Sequence, residues 1–319
     1  MTQIRNEIVG ASAAGVSAAE TLRCNDESAD IVIISDEELI YSRPLLSYFL
    51  AGTHDEEGLL YRSRDFFKDQ RIDAVIARAA KLDPDHNQVC LDDGSKVDYD
   101  RLLLATGASP RFPRAEGMDK EGVYGVRKTT DVEGIQALLP QARRAVVLGA
   151  GLVGLKAAAG LKQQGLEVTV LVGSPHVLSQ MLDSTSSEVF KQIFEDHGVP
   201  IITGVQPAEI LGDTRVEGVK VASGEVYPCD LVVVGKGVDP NLELAEGTPI
   251  KIDWGILVDE HLCTDVPNIY AAGDVVQAMD VVRGETWINA LWPCAVEQGR
   301  IAALNMAGKE TAYKGSMRM

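Results

Sequence analysis

Two stretches of the chain carry glycines at the spacing that a dinucleotide-binding turn requires. Residues 8–15 read IVGASAAG, and residues 147–154 read VLGAGLVG. In such a turn a strand passes tightly into a helix and a diphosphate approaches the backbone closely, so side chains are excluded at fixed points. Gly10 and Gly15 fill these points in the first copy, where the small Ser12 replaces the middle glycine without closing the loop. The second copy fills all three points, with Gly149, Gly151 and Gly154.

The residues between these glycines complete the two predicted phosphate-binding loops. In each copy these residues begin a helix, and the helix dipole favours an anion at the helix N-terminus. We therefore count them among the cofactor contacts. They are Ala13 and Ala14 in the first copy, and Leu152 and Val153 in the second.

Each glycine loop begins a module with the same order of elements. After Gly15 come the alanine-rich VSAAETLR and the apolar DIVIIS, and after Gly154 come LKAAAGLKQQG and the apolar EVTVLV. Each module ends in an apolar run that enters glycine, RLLLATGA at 101–108 and DLVVVGKG at 230–237. An internal repeat is hard to produce by accident. We predict an α/β protein with two doubly wound, Rossmann-like nucleotide-binding domains.

Turn-rich segments at 107–114 and 237–241 are the best candidates for chain crossings between the two domains. The second domain is then inserted into the first, which becomes discontinuous. We assign residues 1–112 and 240–306 to the first domain, residues 113–239 to the second, and residues 307–319 to a C-terminal tail.

Polar residues follow the second strand of the first module. A Rossmann domain places a carboxylate there, roughly twenty residues past the glycines, to hold ribose hydroxyls. The segment VIISDEE puts Asp36 and Glu37 at this point, although an acidic surface loop is the alternative. Next, Pro44 stiffens the backbone after Arg43, which suits a guanidinium held against a phosphate or a cofactor ring. Pro44 equally fits the first turn of a helix.

Two later strands end in small residues that let a cofactor approach the backbone. The first strand is followed by Ala105, Thr106 and Gly107, and alone it indicates only a buried strand that meets a turn. The second, in IYAAGDVV, is followed by Gly273 and Asp274. A carboxylate at that point can stabilise a helix start and can also accept hydrogen bonds from hydroxyls.

The segment NALWPCAVEQGRIAALNMAG predicts a helix whose start faces the first site. Pro293 suits the first helical turn, so the amides near Cys294 would direct partial positive charge outward. Trp292 could pack on a cofactor ring, or could belong to the core. Ala79 and Gly235 complete the predicted cofactor contacts.

Composition excludes several classes of protein. The 319 residues carry a formal charge of −17 spread along the chain, which argues against nucleic acid and repels strongly acidic partners. No apolar stretch approaches the length of a membrane span, and the N-terminus does not read as a signal peptide, so we expect a cytoplasmic protein. No metal site is expected, and without a CxxC pair we expect reduced, mostly buried thiols. The cysteines are Cys24, Cys90, Cys229, Cys263 and Cys294.

Taken together, the ordered motifs resemble the FAD-dependent pyridine nucleotide-disulfide oxidoreductase superfamily, and more narrowly its NADH:rubredoxin reductase and nitrite-reductase-like branch. They are GASAAG, YSRPLLS, ATGA, GAGLVGLKAA, SPHVLSQMLD, VVVGKGV, AAGD and WPCAVEQGR. The resemblance covers nearly the whole chain. It implies FAD on the first module and a nicotinamide nucleotide, NADH or NADPH, on the second. It also implies that Asp274 accepts hydrogen bonds from the ribityl chain, and that Arg43, Trp292 and Pro293 tune the flavin.

Three departures from the family pattern bear on function. Relatives that act on disulfides or peroxides carry a redox cysteine near YSRPLLS, and this chain has none there. Family chains usually continue into a C-terminal interface domain, whereas this one stops at YKGSMRM, which leaves dimerisation and part of the acceptor site open. The family's GVRPN reads GVDPN here, with Asp239 in place of a cation.

The nucleotide preference rests on the second strand of the inserted module. Val172 occupies the position of the carboxylate that favours NADH, yet no arginine follows to hold a 2′-phosphate. Ser174 and His176 could contact either ribose. We favour NADH, because an acidic chain without a local arginine should resist the added phosphate.

We therefore expect an FAD-dependent NAD(P)H oxidoreductase that passes electrons to an external acceptor, such as a rubredoxin-like carrier protein. A homodimer stays open. The first alternative is a thiol- or peroxide-linked NADH oxidase-type reductase that uses Cys294, whose pKa a helix start would lower. The second is a non-catalytic flavin-binding subunit of a larger complex, against which the complete second glycine motif argues.

Overall fold

The computed structural model describes residues 4–317. The chain divides into two compact units. The first comprises Met1–Ser42, Leu60–Ala108 and Pro240–Met319, and the second comprises Arg43–Leu59 and Ser109–Asp239. No helix within residues 4–317 has both the length and the apolar character needed to cross a bilayer.

The strands are short, as is usual for an α/β fold. In chain order they are β1 (Arg5–Val9), β2 (Asp30–Ser35), β3 (Asp73–Ile76), β4 (Ala79–Asp83), β5 (Gln88–Leu91), β6 (Lys96–Asp98), β7 (Arg101–Leu104), β8 (Ala108–Pro110), β9 (Val123–Tyr124), β10 (Arg144–Leu148), β11 (Glu167–Val172), β12 (Ile201–Thr203), β13 (Pro207–Leu211), β14 (Gly218–Val221), β15 (Val226–Pro228), β16 (Leu231–Val234), β17 (Val238–Pro240), β18 (Ile256–Leu257), β19 (Ile269–Ala271), β20 (Val276–Asp280) and β21 (Glu285–Trp287).

Five of the described helices have ten or more residues, and the others are a single turn or little more. In chain order they are α1 (Ala13–Asn25), α2 (Leu46–Leu50), α3 (Glu56–Leu59), α4 (Phe66–Asp69), α5 (Thr129–Leu138), α6 (Leu152–Gln163), α7 (Ser184–Asp196) and α8 (Trp292–Met306), and a single 3₁₀ turn covers Arg43–Leu45.

The first unit is built on a five-stranded parallel sheet in the order β19-β7-β1-β2-β3. Ile8 of β1 lies opposite Ile33 of β2 and Leu103 of β7, and all three side chains are fully buried. The strands of a parallel sheet covered on both faces are continuous apolar runs. Helices α1 and α8 pack against each other in this unit, which also contains the antiparallel sheets β4-β5-β6 and β20-β21.

The second unit repeats this plan. Its five-stranded parallel sheet has the order β12-β11-β10-β16-β9, with β10 at the centre as β1 is in the first unit. Val147 of β10 lies opposite Val170 of β11 and Val233 of β16, and these side chains are fully buried. Helix α6 packs on β10 and β11. The predicted fold class, two Rossmann-like domains, is confirmed.

Residues 43–59 lie in the second unit, whereas the sequence had placed them in the first domain. Helix α2 of this segment packs on α5 and α6. The Gln136 amide donates to the Phe49 carbonyl oxygen at 3.0 Å, and a Cβ on Gly160 would lie 3.4 Å from the Ser47 carbonyl oxygen. This packing is long-range in sequence, which is why local patterns did not reveal it.

The C-terminal tail belongs to the first unit. The Tyr313 amide donates to the Glu260 carbonyl oxygen at 2.6 Å. The Ser316 amide donates to the Met279 carbonyl oxygen at 3.0 Å, and the Val281 amide donates to the Ser316 carbonyl oxygen at 2.9 Å. The tail thus extends the edge of β20.

Candidate functional site: two strand-to-helix turns

The first glycine loop is a turn that only glycine can make at two points. Gly10 follows β1 with φ of +113°, and a Cβ there would lie 2.9 Å from the Ala105 carbonyl carbon and closer still to its oxygen. A Cβ on Gly15 would overlap the Gly10 carbonyl oxygen and lie 3.1 Å from Ile8 Cγ2. The turn therefore packs directly on the backbone that follows β7.

The loop leads into α1 with a start that suits an anion. Ser12 is the N-cap in an extended conformation, and its side chain makes no capping hydrogen bond. The first amides of a helix have no partner within the helix, so they attract a diphosphate. Ala13 and Ala14 are the first residues of α1, and their small side chains are buried away from this approach.

Two elements, the turn after β19 and helix α8, converge on the start of α1. A Cβ on Gly273, which follows β19, would lie 3.2 Å from the Ala14 Cβ and 3.7 Å from the Ala295 Cβ. Farther along α8, a Cβ on Gly299 would lie 2.8 Å from the Ala14 carbonyl carbon. The β19 turn and the starts of α1 and α8 therefore meet in one place.

A buried side chain holds the Gly273 turn. The Gln298 Oε1 accepts a hydrogen bond from the Gly273 amide at 2.8 Å, and Gln298 Nε2 donates to the Tyr313 hydroxyl at 3.3 Å. In the same tail the Ser316 hydroxyl accepts from Asn289 Nδ2 at 2.8 Å. Sequence reasoning missed this network, because no local pattern links the tail to the turn.

The residues after β7 are fixed by Asn241. The Thr106 hydroxyl donates to the Asn241 carbonyl oxygen at 2.9 Å, and Asn241 Nδ2 donates to the Thr106 carbonyl oxygen at 2.8 Å. The Asn241 amide donates to the Gly107 carbonyl oxygen at 3.0 Å. Asn241, the asparagine of GVDPN, thus fixes the backbone of residues 106 and 107 in ATGA. Sequence reasoning missed this residue as well.

The remaining candidates of the first unit lie around its sheet. Asp36 is exposed, whereas the Glu37 carboxylate accepts a hydrogen bond from the Tyr41 hydroxyl. Trp292 makes an edge-to-face contact with the Tyr61 ring at 4.9 Å between centroids, and Ala79 is a partly buried residue of β4.

The second glycine loop repeats the geometry of the first. Gly149 has φ of +108°, and a Cβ there would lie 2.5 Å from the Gly235 carbonyl oxygen. A Cβ on Gly154 would lie 3.0 Å from the Gly149 carbonyl carbon, and one on Gly235 would lie 2.5 Å from the Gly154 Cα. Gly151 is the N-cap of α6 in an extended conformation.

The start of α6 carries apolar side chains on the surface. Leu152 is 52% exposed and Val153 is 49% exposed. At the end of β11, Val172 is buried, and the Ser174 hydroxyl donates to the His176 carbonyl oxygen at 2.8 Å. The structure therefore brings Ser174 and His176 together in one turn.

Two charged residues have partners in the second unit. Arg43 Nη1 donates to the Arg127 carbonyl oxygen at 2.6 Å, and Pro44 lies in the 3₁₀ turn before α2. The role of Arg43 toward a flavin stays a prediction. The Asp239 carboxylate accepts a hydrogen bond from Arg111 Nε at 2.6 Å. The aspartate that replaces the cation of the family pattern is therefore paired with an arginine.

Residues 7–299 match the family described as pyridine nucleotide-disulphide oxidoreductase. The chain belongs to this family.

The sequence of this pyridine nucleotide-disulphide oxidoreductase aligns with those of several relatives over almost its whole length. The NADH oxidase of Methanocaldococcus jannaschii is 35% identical, over 97% of this chain and 71% of that protein. The rhodocoxin reductase of Rhodococcus erythropolis is 36% identical, over 96% of this chain and 73% of that protein. The solved structure of a ferredoxin reductase from Rhodopseudomonas palustris has a TM-score of 0.92 and 34% identity, over 98% of this chain and 78% of that one.

The predicted family, enzyme class and cofactors are confirmed. The chain is an FAD-dependent oxidoreductase that uses a nicotinamide nucleotide. The residues present fit two such groups, since each unit contains a turn that a Cβ would fill and a helix start directed at it. Within residues 4–317, no group of His, Cys, Asp and Glu could hold a metal ion.

The cysteine at the start of α8 is not poised as a thiolate. Burial raises the pKa of the Cys294 thiol, and a hydrogen bond with Ser316 only partly offsets this rise. The predicted lowering of the Cys294 pKa, which the thiol-linked alternative requires, is therefore wrong, because desolvation outweighs the hydrogen bonds that lower the pKa. The expectation of mostly buried cysteines is also wrong. Cys229 is buried, Cys24 is exposed, and the other three are intermediate.

Proposed function

We propose that this chain is a flavoprotein reductase that takes electrons from NADH and passes them to a small electron-carrier protein. The observation that carries this proposal is the pair of matching turns at Gly10 and Gly149, each closed against a strand end of its own unit. Two such turns suit two different dinucleotides. The names of two relatives, rhodocoxin reductase and ferredoxin reductase, support a carrier protein as the acceptor.

The first unit would hold FAD. The Gly10 turn and the start of α1 suit the diphosphate, and the exposed Asp36 suits a ribose. Asp274, next to the Gly273 turn that Gln298 fixes, would accept hydrogen bonds from ribityl hydroxyls.

Helix α8 would complete the flavin site. Pro293 lies in its first turn, and its N-cap Leu291 has an extended backbone. The positive end of a helix stabilises negative charge, which a reduced flavin carries on its pyrimidine side. Trp292, braced by the Tyr61 ring, would provide an apolar wall.

The second unit would hold the nicotinamide nucleotide. The diphosphate suits the Gly149 turn and the start of α6, where the exposed Leu152 and Val153 offer apolar contact. Val172 lacks the carboxylate that selects NADH, and neither Ser174 nor His176 is an arginine that would hold a 2′-phosphate. We infer a preference for NADH from the acidic character of the chain.

The hydride and electron-transfer chemistry would be supplied by FAD and the nicotinamide nucleotide, and the two electrons of one NADH would suffice for two molecules of a one-electron carrier. The protein's part is to bind, orient and shield the two nucleotides. No cysteine lies in the segment 41–52, so no thiol is placed there to store a further electron pair.

A second candidate function is direct reduction of oxygen. It is favoured by the 35% identity to a protein named NADH oxidase. The two functions differ in whether oxygen or a carrier protein oxidises the reduced enzyme faster.

An anaerobic acceptor screen tests the proposal. The FAD-loaded enzyme is reduced with NADH or with NADPH in a stopped-flow instrument, and is then mixed with a ferredoxin, a rubredoxin or oxygen. We expect faster reduction by NADH at equal concentration, and faster reoxidation by one of the carrier proteins than by oxygen. The charge of −17 predicts that reduction of an acidic carrier speeds up as salt is added. Reoxidation by oxygen alone would favour the second candidate, and no bleaching by either nucleotide would leave a non-catalytic flavin subunit.

A further inference from the structure

Lys236 lies next to the glycine turn of the second unit, where the nucleotide is proposed to bind. Lys236 follows Gly235 at the end of β16, and its Cγ lies 3.2 Å from the position that a Cβ on Gly149 would take. Its ammonium donates to Gln206 Oε1 at 3.2 Å. The side chain therefore extends from the end of β16 past the phosphate-binding turn.

The partner of this lysine lies beside the end of β11. A Cβ on Gly173, the residue after β11, would lie 2.7 Å from Gln206 Cδ. The ammonium of Lys236 is thus held between the turn at Gly149 and the turn at Gly173. In an open α/β sheet, ligands bind in the crevice outside the carboxyl ends of the strands. Lys236 lies in that crevice, and the sequence motifs did not draw attention to it.

The charge of Lys236 is not balanced by a carboxylate. Within residues 4–317 its ammonium forms no ion pair, and its one hydrogen-bond acceptor is a neutral amide. Two other lysines of the unit are paired with carboxylates, since Lys220 Nζ lies 3.2 Å from Glu209 Oε2 and Lys191 Nζ lies 3.7 Å from Glu195 Oε1. Partial burial also lowers the pKa of Lys236. A partly buried cation without a counter-charge is costly unless a ligand supplies one.

We propose that Lys236 binds a phosphate of the nicotinamide nucleotide, with Gln206 as the residue that positions it. This inference rests on the proposed function, which assigns the nucleotide to the second unit. The phosphate can come from two sources: the diphosphate that NADH and NADPH share, or the 2′-phosphate of NADPH. The first source would lie near Gly149, and the second near Gly173. Either contact is a charge-assisted hydrogen bond to an oxygen anion.

The test measures binding of the oxidised nucleotides NAD⁺ and NADP⁺ to the FAD-loaded full chain by isothermal titration calorimetry. Lys236→Met removes the charge and keeps the length of the side chain, and Lys236→Arg restores a charge. Lys220→Met is the matched control, because it removes a lysine of the same unit that is already paired with Glu209. We expect Lys236→Met to weaken binding about tenfold or more, and to make it less dependent on salt. Lys236→Arg should recover most of the affinity, and Lys220→Met should match the wild type.

The arms of the experiment separate the two phosphate sources. Equal weakening for NAD⁺ and NADP⁺ identifies the diphosphate, and weakening for NADP⁺ alone identifies the 2′-phosphate. Unchanged affinity for both nucleotides in Lys236→Met would overturn the inference, as would an equal loss in Lys220→Met. Failure of the proposed function looks different, since the wild-type flavin would then not be bleached by NADH or NADPH at all.

Discussion

A carboxylic acid in the core of the first unit gives the structure a measurable dependence on pH. Glu7 lies on the central strand β1, opposite Val32 and Leu102, and its side chain is 0% exposed. Neither of its carboxyl oxygens has a hydrogen-bond partner among residues 4–317. Burial raises the pKa of Glu7 from 4.5 to about 8, against a weaker lowering effect of Arg5. Glu7 is therefore protonated in the folded protein at neutral pH.

The sign of the effect on stability follows from this raised pKa. Between 4.5 and about 8 the unfolded chain releases the Glu7 proton while the folded chain retains it. The folded state binds more protons, so the free energy of unfolding falls as pH rises through this range. One pKa unit corresponds to about 1.4 kcal/mol, so Glu7 alone should remove about 3 kcal/mol of stability between pH 5 and pH 8.

Glu7→Gln isolates this contribution, because it keeps the shape and removes the ionisation. The free energy of unfolding of the variant, relative to that of the wild type, should rise by about 3 kcal/mol from pH 5 to pH 8. This change does not depend on how the two proteins differ in stability at pH 5. Comparing slopes in this way removes any fixed cost of burying the amide.

The assay is urea unfolding at several pH values, followed by tryptophan fluorescence. Trp254, Trp287 and Trp292 all lie in the first unit, so their emission reports on the unit that contains Glu7. Glu246→Gln is the matched control, since it changes an exposed carboxylate of the same unit. If Glu7→Gln and the wild type lose stability with pH in parallel, Glu7 is not protonated in the fold and the reasoning is refuted.

Three substitutions test the two turns and the network that supports the first. Gly10→Val should yield colourless protein, because it places a branched side chain against Ala105 and strains a residue at positive φ, at a cost of about 1–3 kcal/mol from strain alone; full flavin absorbance at 450 nm would contradict the assignment. Gly154→Ala should leave the flavin content intact but weaken NADH binding about tenfold or more, and an unchanged Kd would count against the second site. Tyr313→Phe removes a hydrogen-bond partner of Gln298 and should weaken FAD binding roughly fivefold, which a fluorescence titration of the apoprotein would measure.

The sequence predicted the parts of the fold that local patterns determine. A short stretch of sequence suffices to identify each of these parts. They are the two glycine loops, the apolar runs of β1 and β10, and the proline at the start of α8. The motifs also indicated that the β19 turn and the α8 start serve one site. In the structure both lie against Ala14.

The sequence did not predict contacts between distant segments. The union of Arg43–Leu59 with the second unit depends on the packing of α2 on α5 and α6. The bracing of Gly273 by Gln298 and Tyr313 joins three segments that carry no shared motif. The burial of Glu7 is set by neighbouring strands, whereas its own residue type suggests exposure.

The central claim is that the chain binds two dinucleotides and that the flavin is its one redox centre. An anaerobic titration of the FAD-loaded protein with NADH, followed at 450 nm, tests it most directly. We predict complete bleaching at one NADH per FAD, no long-wavelength thiolate-to-flavin band, and the same endpoint in Cys294→Ser, since burial raises the pKa of that thiol. Uptake of a second equivalent that Cys294→Ser abolishes would contradict the claim.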